Sequence, residues 1–123
     1  MPINLALVPP PPELFSGEAE AIAQRLNQAP GHINKSSQIR RFYDELVGWQ
    51  ERIDGDEEKF RQLEAFIKML NAKVAYANGR KLVDDEFRNW FRDCIRSTTS
   101  ARALDHFRLH FEAVLGFLKA LRG

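Results

Sequence analysis

The run ARALDHFRLHFEAVLGFLKAL, residues 101–121, sets Leu104, Phe107, Phe111, Val114, Leu118 and Leu121 at alternating steps of three and four. That spacing brings a side chain back to one face every turn, so the run reads as a long amphipathic helix with an aromatic stripe. The same period recurs upstream. Residues 57–78 carry Phe60, Leu63, Ile67, Leu70, Val74 and Ala77, and the stretch from Ser36 or Ser37 to about Ile53 carries Ile39, Phe42, Tyr43, Leu46, Val47 and Ile53.

Two further helices complete the pattern. Asp84 is placed to cap one whose buried face is Phe87, Trp90, Phe91, Cys94 and Ile95. A shorter one, about residues 17–28, starts at Ser16 with Glu18 and Glu20 near the positive end of its dipole, and ends at Pro30-Gly31. Its stripe, Ala19, Ile22, Ala23 and Leu26, is modest. The stops are Asp54-Gly55-Asp56, Asn78-Gly79 with the glycine left-handed, and Ser97-Thr98-Thr99-Ser100. No segment alternates with period two, so the fold class is all-α: a compact bundle of about five antiparallel helices with short connections.

Ahead of the bundle domain, residues 16–123, the prolines Pro9 to Pro12 supply no amide donors and favour an extended chain. Residues 1–15 therefore read as an N-terminal arm, either a solvated tail or a strap laying Ile3, Leu5 and Leu7 on a neighbouring subunit. With 123 residues, 44% of them hydrophobic and nine phenylalanines, the chain has material for one core and no more. The opening segment lacks a basic leader and runs into prolines, so neither a signal peptide nor a membrane span is expected. A lone cysteine, Cys94, suits a reducing compartment, and the expected location is cytoplasmic.

Catalytic chemistry has few candidates. His106 and His110 stand four apart on one helix and could share a metal, but the glutamate of the common metalloprotease pair is missing and a third ligand is not evident. Cys94 sits between Phe91 and Ile95 as a small buried hydrophobe. The acidic runs Asp56-Glu57-Glu58 and Asp84-Asp85-Glu86 lie at helix starts, where capping explains them. Glycine-rich phosphate loops are absent. The reading is a non-enzyme with no catalytic residue, metal or cofactor.

The net charge of +1 makes any nucleic-acid site a matter of local segregation. Arg88, Arg92 and Arg96 step by four along one helix, a ridge rising about 6 Å per member that suits a sugar-phosphate backbone, with Asp85 and Asp93 as neighbouring counter-charges. Lys73, Tyr76, Arg80 and Lys81 gather where the third helix ends, offering charge and a phenol. Arg40 and Arg41 occupy the first turns of the second helix, where cations oppose the dipole and an anionic partner would justify them.

The runs Ser37-Gln38-Ile39-Arg40 and Ala75-Tyr76-Ala77-Asn78-Gly79-Arg80, followed by Phe107-Arg108-Leu109-His110-Phe111-Glu112-Ala113-Val114, resemble in order and spacing the small subunit of the type III-A CRISPR effector, the Csm complex. The resemblance covers roughly residues 31–120. It implies a non-catalytic subunit that stacks in several copies beside the crRNA-bearing backbone subunits and helps hold the guide–target duplex. Implied partners are the Csm backbone and large subunits, other copies of the chain, crRNA and target RNA, and no membrane. The chain departs from the family pattern in its last helix, where Gly116-Phe117 stand in place of a tyrosine. The competing reading is a helical adaptor or homo-oligomeric bundle that binds no nucleic acid and buries Trp49 and Phe66 against another protein.

Overall fold

A computed structural model of the chain describes residues 3–123; Met1 and Pro2 lie outside the described residues. A 3-10 turn, Pro12–Phe15, precedes α1 (Gly17–Leu26), α2 (Ser36–Ile53), α3 (Glu57–Lys68), α4 (Leu70–Gly79), α5 (Asp85–Ser97) and α6 (Ala101–Arg122). Among the described residues there is no strand. The expected third helix is present as α3 and α4, divided at Met69. That residue keeps helical dihedrals, and its carbonyl receives the amides of both Ala72 (3.0 Å) and Lys73 (3.4 Å), so the ladder tightens for one step without ending.

The caps explain where the helices start. Asp56 accepts the amides of Glu58 and Lys59, Asp84 that of Phe87, and Ser100 that of Ala103. The serines expected to cap α1 and α2 do not do so, and Ser36 is already the first residue of α2. Ser16 holds the N-cap position of α1 but donates its hydroxyl to the Pro12 carbonyl at 2.9 Å, and α2 begins from Lys35 with no side-chain cap. The stop of α4 also differs from expectation: Gly79 stays helical and Lys81 is the left-handed residue, φ 61°. The turn is closed by the Leu82 amide on the Ala77 carbonyl at 2.9 Å, and Asn78 Nδ2 donates to the Val83 carbonyl.

With α3 and α4 taken as one run, consecutive helices alternate in direction. Ser36 meets Arg122, Tyr43 meets Glu112 and Gln50 meets Asp105, which makes α2 and α6 antiparallel; Phe87 packs on Phe111 and Phe91 on Phe107, which does the same for α5 and α6. The chain's first and last helices close the bundle. They run parallel, since the Leu14 carbonyl reaches His110 and Asn27 reaches Arg122.

The core is aromatic. Phe87, Phe91, Phe107 and Phe111 are fully buried, with Trp90, Phe42 and Tyr43 around them in tilted and edge-to-face pairs such as Trp90 on Phe111, centroids 4.9 Å apart. The stripe of α6 is buried down to Leu118, but Leu121 is exposed.

The segment expected as a free arm lies against its own bundle. Residues 3–11 carry no helix, yet Leu5 is fully buried, its amide donates to Ser97 Oγ at 2.7 Å, and its carbonyl lies 2.7 Å from Nδ1 of His106. Leu14 is buried as well, while Leu7 is exposed. Pro12 opens the 3-10 turn at a position where a missing amide costs nothing.

Candidate nucleic-acid interface

One buried residue gathers the basic segments. Asn34, in the loop before α2, is fully buried with φ 58°, a left-handed conformation that asparagine tolerates better than most residues. Its amide donates to the Leu82 carbonyl (3.0 Å), its Oδ1 accepts the Asp84 amide (3.0 Å), and its Nδ2 donates to the Leu26 carbonyl (3.2 Å). The end of α1, the start of α2 and the α4–α5 turn are thereby held together. Arg122 adds the end of α6, donating from Nε to Asn27 Oδ1 at 3.1 Å and from Nη1 to Ser36 Oγ at 2.9 Å.

That end of the bundle is basic. Lys35, Arg41, Arg80, Lys81, Arg88 and Arg122 are exposed there, against Asp84, Asp85 and Glu86 at the start of α5. The whole chain carries only +1, so the positive end implies a compensating excess of carboxylates elsewhere. Tyr76 is 66% exposed beside it, with its hydroxyl accepting from Arg80 Nη1 at 3.2 Å and the Arg80 guanidinium 5.7 Å above its ring. A phenol already stacked with an arginine is an amphipathic platform with one polar edge. Arg88 donates to Asn78 Oδ1 at 3.1 Å, which joins the start of α5 to the same corner.

All nine residues singled out in the sequence are exposed, but they are not equally available. Arg41, Lys81 and Arg88 have no ion-pair partner among the described residues, and neither has Arg80. Arg40 pairs with Asp44 at 3.4 Å and lies 5.3 Å over the Tyr43 ring. Lys73 pairs with Glu45 of α2 at 3.2 Å. The ridge divides: Arg92 and Arg96 share the Asp93 carboxylate, at 3.6 and 4.0 Å, and only Arg88 joins the basic end. These are surface pairs worth up to about 1 kcal/mol each, so a phosphate competes with them without a large penalty.

Asn34, Lys35 and Arg122 were not singled out from sequence. The sequence signal for Asn34 was its position, a left-handed-tolerant residue between Pro30-Gly31 and a helix. For Arg122 there was no sequence signal, since its partners are 86 and 95 residues away.

The histidine pair is arranged for structure. Trp90 Nε1 donates to Nε2 of His110 at 3.0 Å, so Nδ1 carries the proton and donates to the Leu14 carbonyl at 2.6 Å. Both ring nitrogens of His110 are thus occupied. Burial holds its pKa below the usual 6.5, opposed by the bond to Leu14. Among the described residues no cluster of three or more histidine, cysteine or acidic side chains is placed to hold a metal ion. Burial, with a smaller contribution from Asp93, pushes the Cys94 thiol well above its usual range. Among the described residues no helix is long and apolar enough to cross a membrane.

A family model described as Csm2 Type III-A matches residues 10–123. No curated protein and no solved structure matches the chain.

Proposed function

The chain belongs to the Csm2 Type III-A family and is a small subunit of a type III-A CRISPR effector, and on that premise we propose that it binds the backbone of guide or target RNA through its basic end. The observation that carries this reading is the convergence around Asn34 of exposed cations from four parts of the chain, most without an acidic partner. The proposed contacts are Arg41, Arg80, Lys81 and Arg88 with Tyr76 as a stacking or hydrogen-bonding edge. Arg40, Lys73, Arg92 and Arg96 are secondary contacts, because each must first leave a carboxylate. Phosphate contacts read no bases, which suits a subunit that accepts every guide sequence.

The subunit is proposed to be non-catalytic and cytoplasmic, to need no cofactor, and to stack in several copies beside the Csm backbone and large subunits. A supporting consideration is that the groups best suited to chemistry, His110 and Cys94, are built into the core. The test is photo-crosslinking of the reconstituted particle carrying 4-thiouridine in guide and target. Crosslinks at residues 76–88 and 35–41 support the reading; a particle whose RNA crosslinks only to other subunits overturns it.

A second reading, a protein adaptor that binds no nucleic acid, draws on one feature. Trp49 and Phe66 stack across α2 and α3, centroids 5.8 Å apart and 8° from parallel, with Phe66 half exposed and Met69 exposed beside it. Such a face suits contact with a neighbouring subunit, and RNA-free assembly of the particle around an unaltered chain would favour it.

A further inference from the structure

His106 and His110 stand one turn apart on α6, and each donates from Nδ1 to a carbonyl of the N-terminal segment: His106 to Leu5 at 2.7 Å, His110 to Leu14 at 2.6 Å. The two histidines are separated by a rise of only about 6 Å along the helix, so the chain between their partners, residues 6–13, has to leave the surface and return. Its ends are fixed a second time by the burial of the Leu5 and Leu14 side chains. The product is an Ω-loop closed at its base by a histidine pair.

What the loop holds out is apolar. Leu7 is 48% exposed and Val8 60%, and no residue from Ile3 to Pro12 carries a charge. Pro9 to Pro12 follow, with Pro11 extended at φ −62° and ψ 134°, so the backbone behind the tip has little freedom left to lose on docking. The chain after the tip is acidic. Glu13, Glu18 and Glu20 have no ion-pair partner among the described residues, and no lysine or arginine precedes Arg25.

A face of the matching kind lies on α2 and α3. Phe66 gives one side of its ring to Trp49 and is still 49% exposed, with Met69, 58% exposed, three residues on. Residues 49–52 and 59–69 hold Arg52, Lys59, Arg61 and Lys68 against Glu51 and Glu64, an excess of cations. An apolar tip with an acidic flank and an apolar face with a cationic surround complement one another in both respects. Proline-rich segments pack on aromatic rings in the same manner when they are recognised as peptides. We propose that the 6–13 loop of one copy docks on the Phe66–Met69 face of a second copy, with Leu7 and Val8 against the free side of Phe66. Loop and face are different surfaces, so the contact is heterologous and can repeat from copy to copy. The inference rests on the reading that several copies stack and names the surfaces that meet; RNA contact through the basic end plays no part in it.

The test is sedimentation velocity of the full-length chain, with Leu7→Ser/Val8→Ser and Phe66→Glu as two one-sided variants. All three side chains are exposed, and circular dichroism confirms the fold of each variant. Wild type should self-associate with rising concentration, and each variant alone should weaken this about tenfold or more. An equimolar mixture of the two should form a one-to-one pair with close to the wild-type affinity, since one chain keeps its loop and the other its face. A wild type that stays monomeric, variants that associate as wild type does, or a folded mixture that remains monomeric overturns the contact. Native mass spectrometry of the reconstituted particle separates this from the stacking reading: the Leu7→Ser/Val8→Ser chain should enter in fewer copies, whereas wild-type occupancy would keep the stack and remove the loop from it.

Discussion

Trp90 Nε1 and His110 Nε2 lie 3.0 Å apart in the core, and this one hydrogen bond fixes the histidine as the neutral tautomer protonated on Nδ1. The proton on Nδ1 is then directed at the Leu14 carbonyl, so α5, α6 and the turn ahead of α1 share a buried relay. A second charge-bearing proton would have to enter at Nε2 and break the contact with the indole. Burial lowers the pKa, and the bond to the Leu14 carbonyl opposes it only in part.

Stability should therefore fall on acidification. With the native pKa below 6.5, the unfolded chain takes up the proton first as the pH drops, so the contribution is complete above 6.5. It is lost progressively as the pH falls from there through the native value, and is flat below it. The slope for this one group is at most about 1.4 kcal/mol per pH unit. Urea unfolding of wild type and His110→Gln between pH 8 and pH 5 reads it: the variant is less stable at pH 8, and the gap narrows towards pH 5. A gap that stays constant across the range would show that His110 is not the titrating group.

Asn34→Ala removes both side-chain bonds at once, leaving the Leu26 carbonyl and the Asp84 amide unpaired, and forces alanine into a left-handed backbone. The expected cost is about 3 kcal/mol. Asn34→Gly relieves the backbone but not the lost bonds, so it should fall between wild type and alanine. The midpoint in urea at constant m-value checks the order.

Gly116 works in the other direction. It is exposed within α6, and a Cβ added there meets nothing within 4 Å, so no close packing requires glycine. Gly116→Ala should stabilise the protein by up to about 1 kcal/mol, read as a rise in Tm.

Helix existence was legible in the sequence because the aromatic stripes of α5 and α6 are long and regular. The ends were less legible. Lys81 rather than Gly79 takes the left-handed turn, which Asn78 closes locally through Val83 while Asn34, about fifty residues away, holds the Leu82 carbonyl and the Asp84 amide, a tertiary contact the local pattern does not carry. The N-terminal segment was misjudged for the same reason, since proline content says the chain is extended but not that Leu5 finds Ser97 and His106. For the candidate site, residue type and exposure were readable. Which arginines stand free was not, because Asp93 neighbours Arg92 in sequence but its sharing with Arg96 is a matter of rotamers.

That division among the arginines yields the most direct test of the basic end. Neutralising cations that touch phosphate lowers the number of counterions released on binding, so the salt dependence flattens by about one unit of slope per lost contact. Arg80→Ala with Lys81→Ala removes two cations that have no carboxylate to leave. Arg92→Ala with Arg96→Ala removes two that share Asp93, and frees that carboxylate to repel RNA. Target-RNA affinity of the assembled particle is measured from 50 to 300 mM salt for each pair and for several guide sequences. The first pair should weaken binding equally across guides and flatten the slope by roughly one to two units. The second should weaken binding chiefly at low salt, through the exposed Asp93, with a smaller change in slope. Equal slopes for wild type and the Arg80/Lys81 variant would remove this end of the bundle from the RNA interface, and a larger change for Arg92/Arg96 would return the contact to the middle of α5.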